Sequence, residues 1–181
     1  MANKRQAIFW IVIGTNGVGK TTLVENLVKA EKRNVLIVDP DGGEKAWYRY
    51  PEIEAEQIEY MTSHKCRFIA PEKEDIEYFK NFRNGLMVLD DCNHYFRPNL
   101  QFGMKQILVR RRQMNADIIA VAHSLTEVPV KFWSFATHLI LFKTGPLRKS
   151  ANIPMFIKEE GHIDEVNKHP NRHHNKVIKL R

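Results

Sequence analysis

Cysteine is almost absent from this chain: its 181 residues include two, Cys66 and Cys92. Two isolated thiols build no disulfide framework and fit a reducing compartment. Long hydrophobic runs are missing as well. No stretch approaches the roughly 18–20 apolar residues that span a bilayer. The apolar stretch after Met1-Ala-Asn-Lys-Arg-Gln6 is too short for a secretory signal with its cleavage site. These absences set the expectation of a soluble chain in the cytoplasm with no transmembrane segment. There is no internal repeat, no low-complexity tract and no Ser/His/Asp or Cys/His hydrolase signature. His162, His169, His173 and His174 lack strict metal-ligand spacing, and the two cysteines are remote from them, which argues against a zinc site.

What the chain does have is positive charge, with a formal net charge of +7. A basic balance favours polyanions, nucleic acid among them, although it also arises without such a partner. The excess is uneven. From Lys143 to Arg181 nine lysines and arginines stand against four carboxylates, whereas Glu52–Glu59 is acidic. Hydrophobic content of 43% and charged content of 27% are globular values, and the length suits one domain with a substantial core.

The most specific pattern is Gly14-Thr-Asn-Gly-Val-Gly-Lys-Thr-Thr22, which satisfies G-x-x-x-x-G-K-[ST] through Gly14, Gly19, Lys20 and Thr21. In such a loop the backbone N–H groups of Gly14, Thr15, Asn16, Gly17, Val18 and Gly19 can turn inward around phosphate oxygens. The following helix directs its positive end at the same anion. Lys20 supplies a mobile cation for the β- and γ-phosphates of ATP. The Thr21 hydroxyl can ligate Mg²⁺, and Thr22 continues the cradle into the helix. The context agrees: the apolar run Ala7–Ile13 precedes the loop, and a helical pattern of Leu23, Leu27, Val28 and Ala30 follows it.

Further strands are expected at Ala7–Gly14, Asn34–Asp39, Cys66–Ala70, Leu86–Asp90, Asp117–His123 and Thr137–Lys143. Helices are expected at Lys20–Lys32, Glu72–Phe82 and Leu100–Met114. The strands are apolar throughout, as in a parallel sheet covered on both faces. The fold class is therefore α/β: a three-layer P-loop NTPase domain with a mainly parallel central sheet, whose strand order is expected by resemblance to be RecA/ASCE-like. We place this core at residues 1–145 and read 146–181 as an appended basic C-terminal segment, with further strand candidates at Ile153–Lys158 and Lys176–Leu180.

Ligands of such sheets bind beyond the carboxyl ends of the strands, where Asp39, Asp90, Asp91 and His123 all fall. Leu86-Met-Val-Leu-Asp-Asp91 is an apolar strand ending in two carboxylates. Asp90 is assigned to Mg²⁺, directly or through water, and Asp91 to the attacking water; two solvated aspartates in a turn are the plainer alternative. Val109-Arg-Arg-Arg-Gln113 sits late in a predicted helix. Its three arginines spread over about 200° and cannot share one face. One can stabilise γ-phosphate charge across a subunit interface and others can hold DNA phosphates, or all can be a solvated helix end favoured by the dipole. His123 can contact the γ-phosphate or the lytic water, or simply close a strand. Trp47, Tyr48 and Tyr50 suit packing better than stacking on a base.

In order and spacing these parts resemble the FtsK–HerA group of P-loop ATPases, and within it the genome-packaging ATPases of DNA viruses and the zonula-occludens-toxin-like phage assembly ATPases. The resemblance covers residues 7 to about 143. It rests on Gly14–Thr22, Val35–Gly42, Met87–Asp91 and Arg110–Pro129. It implies ATP hydrolysis with Mg²⁺, coupled to sequence-independent DNA translocation by a homo-oligomeric ring, usually a hexamer. It also implies a capsid or vertex protein as partner, and the host cytoplasm as location if the chain is viral. By spacing to Asp117, Arg112 matches the group's trans-acting arginine best and Arg111 second. His123 occupies the place of a nucleotide sensor that is commonly Gln.

Two other readings stay open. Gly17–Thr22 and Val38–Asp41 look similar to ParA/MinD-like switch ATPases, though Thr15 stands where that family has a signature lysine. A small-molecule kinase needs a lid, which the arginine triplet could imitate.

Overall fold

Each central strand puts its odd and even residues into different cores, and this alternation builds the three layers. The computed structural model describes residues 6–62, 64–69, 72–96, 101–145 and 161–180. Strands β1 (Phe9–Ile13), β2 (Asn34–Asp39), β3 (Lys65–Ile69), β4 (Gly85–Leu89), β5 (Ala116–Ala122), β6 (His138–Phe142) and β7 (Asn175–Lys179) form one sheet in the order β3-β2-β4-β5-β1-β6-β7. The first six are mutually parallel where they pair, and β7 runs antiparallel to β6.

On one face Val12, Ile37, Val88, Val121 and Ile140 pack beneath Val24 and Val28 of helix α1 (Lys20–Ala30), with Trp47 from a 3-10 turn over Lys45–Trp47. On the other, Ile11, Leu36, Met87, Ile118 and Leu139 meet four helices: α2 (Lys73–Phe79), α3 (Gln101–Met114), α4 (Val130–Phe135) and α5 (His162–Lys168). The fully apolar strands are thus the ones covered twice, as their sequence requires. No helix among the described residues is long and apolar enough to cross a membrane.

Two features place the site. The first is that β5 lies between β1 and β4, so the Gly-rich loop after β1 and the aspartates after β4 flank the end of β5. The second is a buried strut at the opposite edge. Asp117 accepts the Ile8 N–H at 2.8 Å and the Arg33 guanidinium at 2.7 Å, while Arg33 also grips Glu31. The guanidinium holds the Glu31 carboxyl down to about 2. This knot fixes β1 against β5 before either reaches the functional edge.

The segment read from sequence as an appended basic extension contributes α5 and β7. Of β7 only Ile178 is buried, which is why the sequence signal is weak, yet the strand pairs with β6 along its whole length from His138↔Lys179 to Phe142↔Asn175. The strand candidate Ile153–Lys158 lies outside the described residues, as do Ala70, Pro71 and Leu100.

A candidate nucleotide-binding cleft

The Gly-rich loop is tied to the two strands beside its own. The Gly14 N–H donates to the Ala122 carbonyl at 3.3 Å and the Thr15 N–H to the Lys143 carbonyl at 2.8 Å. Gly19 enters α1 at φ +98°, a conformation that side-chain-bearing residues rarely adopt, so the helix can begin with its N–H groups turned toward the cleft. Lys20 is 6% exposed. Its Nζ donates to the carbonyls of Gly14 at 2.6 Å and Thr15 at 3.0 Å, and lies 3.5 Å from His123 Nδ1. Burial lowers the lysine's pKa, and Asp90, Glu127, Asp91 and Glu44 oppose that shift.

The facing wall is acidic. Asp90 Oδ2 accepts the Trp47 indole N–H at 2.7 Å, and Oδ1 accepts the Asp91 N–H at 3.1 Å. Burial raises the Asp90 pKa against those two hydrogen bonds. Asp91 sits at φ +40°, and its Oδ2 lies 3.2 Å from His94 Nε2. Asp39, at the end of β2, accepts the Gly42 N–H through Oδ1 at 3.1 Å. Its buried Oδ2 has no hydrogen-bond partner. Burial raises its pKa too. Glu127 accepts the His123 backbone N–H at 3.1 Å and so fixes the end of β5.

Lys20, Thr21, Thr22, Asp90, Asp91 and His123 line one cleft of about 580 Å³, with Asn16, Gly17, Gly19 and Asp39. Sequence reasoning named Asp90 but not the groups that orient its neighbourhood. Trp47 was assigned to packing, and it does pack at 0% exposure, but its N–H also aims the Asp90 carboxylate. His94 was readable only as an i+3 neighbour of Asp91.

The arginines are not brought to this cleft. They precede β5, whereas His123 follows it, so roughly 20 Å of strand separates the two ends. Arg111 is 6% exposed. It donates to the Leu108 carbonyl at 2.8 Å and the Phe135 carbonyl at 3.2 Å, with its guanidinium 5.7 Å from the Phe135 ring centre. That geometry makes it a tie between α3 and α4. Arg112 and Arg110 are exposed. Truncation of Arg111 to Ala is expected to cost about 2 kcal/mol through lost packing and the lost hydrogen bonds to the Leu108 and Phe135 carbonyls. Thermal unfolding is then expected to fall by roughly 4–8 °C, while Arg112→Ala unfolds with the parent.

No family model and no curated protein matches the chain. Solved structures do. The genome-packaging NTPase B204 from Sulfolobus turreted icosahedral virus 2, in complex with AMP, superposes with a TM-score of 0.71 at 14% identity, covering 96% of this chain and 93% of that one. B204, the DNA-packaging ATPase from Sulfolobus turreted icosahedral virus, gives 0.67 at 15% identity over 95% and 97%. VirB4 of Thermoanaerobacter pseudethanolicus gives 0.61 at 10% identity over 99% and 91%. What this chain shares with these structures is their fold.

Proposed function

We infer that the chain hydrolyses ATP and couples the hydrolysis to movement of DNA, as a subunit of an oligomeric genome-packaging motor. The observation that carries this reading is the cleft itself. It faces a phosphate-binding loop with two carboxylates and a histidine across the end of one intervening strand.

The loop N–H groups and the α1 N-terminus bind the polyphosphate. Lys20 exchanges its two carbonyl partners for β- and γ-phosphate oxygens. The Thr21 hydroxyl and the Asp90 carboxylate are hard oxygen donors suited to Mg²⁺. Among the described residues no group of three or more His, Cys, Asp or Glu is arranged to hold a metal unaided. Phosphate oxygens and water complete a Mg²⁺ shell of this kind. Mg²⁺ held there would neutralise the developing phosphate charge. Asp91 orients the attacking water, and the His94 imidazole holds its carboxylate in place. His123 senses the γ-phosphate from the end of β5.

Arg112 completes the charge balance from a neighbouring subunit. Its exposure at the far edge of the sheet, with Val109 56% exposed on the same helix, supports contact with a second copy. The net charge of +7 supports backbone-level contact with DNA. A hexameric ring and a capsid or vertex partner complete the proposal.

Phosphate release from ATP, with and without DNA, tests the reading. Stimulation by DNA is expected; turnover indifferent to DNA favours a nucleotide switch, and a phosphorylated acceptor in place of free phosphate favours a kinase. Arg112→Ala is expected to bind ATP normally and to hydrolyse it roughly 10³-fold more slowly. Mixing it with Lys20→Ala is expected to restore turnover, since each subunit then supplies what the other lacks. Full turnover by Arg112→Ala alone removes it from the mechanism.

A further inference from the structure

The turn between α5 and β7 lies against the Gly-rich loop. Arg172 Nη2 donates to the Asn16 carbonyl at 3.3 Å and occupies the space that a Cβ on Gly17 would take. His173 Nδ1 lies 3.2 Å from the Val18 carbonyl and beside Gly19, and His173 lines the cleft. The turn is built rather than draped. The His169 and His174 rings stack with centroids 3.7 Å apart, and the Asn171 side chain accepts the His173 N–H at 2.8 Å. Asn167 of α5 accepts the Thr144 N–H at 2.9 Å, which anchors the turn's approach to the end of β6.

Sheet order decides what this turn faces. Asp90, Asp91 and His123 stand on the β5–β4 side of β1, where the γ-phosphate end belongs. Arg172 and His173 come from the β6–β7 side. A nucleotide held by its phosphates between the two must extend its other half toward β6–β7. Loop N–H groups recognise the phosphate oxygens. An imidazole offers a flat face for a purine, and a guanidinium offers donors to ribose hydroxyls or a second stacking surface.

We propose that Arg172 and His173 form the nucleoside subsite of this same chain's nucleotide cleft, holding the ribose and the purine base. The assignment rests on the nucleotide-binding reading above and gives the C-terminal segment a ligand in cis.

Calorimetric binding of ATP and of inorganic tripolyphosphate, both with Mg²⁺, tests it on the parent protein, Arg172→Ala, His173→Ala and His173→Phe. Arg172→Ala and His173→Ala are each expected to weaken ATP by about tenfold, the scale of one base-stacking contact, and to leave tripolyphosphate within about twofold. His173→Phe, which keeps a flat ring, is expected to bind ATP like the parent. Equal losses for both ligands make the turn a prop for the phosphate loop and overturn the subsite. Unchanged ATP binding in both alanine variants overturns it as well. A parent protein that binds neither ligand overturns the nucleotide reading itself. Thermal unfolding of each variant guards against misfolding.

Discussion

Lys20→Ala is expected to lower ATP turnover by roughly 10³-fold, the scale set by losing a preorganised cation at developing phosphate charge. The side chain cannot be replaced by a neighbour, because the P-loop buries it and holds it with the carbonyls of Gly14 and Thr15. Those bonds keep the ammonium poised without fixing it, and a phosphate oxygen outcompetes a neutral carbonyl. The same substitution carries a second signature. Burial lowers the Lys20 pKa, so the folded protein holds the charged form against desolvation. Lys20→Met, which fills the space without charge, is therefore expected to unfold at or above the parent's temperature while being equally inactive. Single-turnover phosphate release and thermal unfolding, measured together, check both halves. A Lys20→Met protein that retains turnover sinks the phosphate role; one that unfolds well below the parent makes Lys20 a structural tie.

The second large effect separates the two adjacent aspartates. Asp91→Asn is expected to keep Mg²⁺-dependent ATP binding and to lose roughly 10²–10⁴-fold in turnover, as befits a group that acts on the water. Asparagine is the informative replacement because Asp91 sits at φ +40°, where Asn is among the few tolerant residues and Ala adds backbone strain. Asp90→Asn is expected to lose turnover comparably and also to lose the dependence of binding on Mg²⁺. Its amide oxygen can still accept the Trp47 indole N–H, so the backbone around it stays in place. Binding of ATP with and without Mg²⁺, set beside turnover, distinguishes them. Identical behaviour of the two variants refutes the division of labour between the metal-side and water-side carboxylates.

Much of this geometry was legible in the residues because the strands are simple. Leu86–Leu89 and Ile118–Ala122 are apolar on both faces, and only a doubly covered parallel strand needs that. Once they are placed, the polar residues that end them must share one edge, and Asp90, Asp91 and His123 do. The parts that escaped depend on partners far away in the chain. Trp47 and Asp90 are 43 positions apart, and no local pattern marks an indole for a carboxylate. Helical spacing separates Arg111 from Arg112, but only α4, arriving later, decides which of them is buried. The His169–His174 turn reads as polar and irregular, since its order comes from ring stacking and an Asn side chain and not from any periodicity.

The position of β1 also sets a timetable. It comes first of the seven strands in chain order, yet its hydrogen-bond partners are residues 118–122 and 138–141. Strands β2, β3 and β4 can pair with one another as they emerge, because β2 lies between β3 and β4. The phosphate loop, by contrast, has no frame until β5 and β6 have left the ribosome. Such long-range closure is entropically slow. Nascent chains therefore carry an acidic wall before they carry a cradle to face it, and competence for nucleotide waits for β5 and β6.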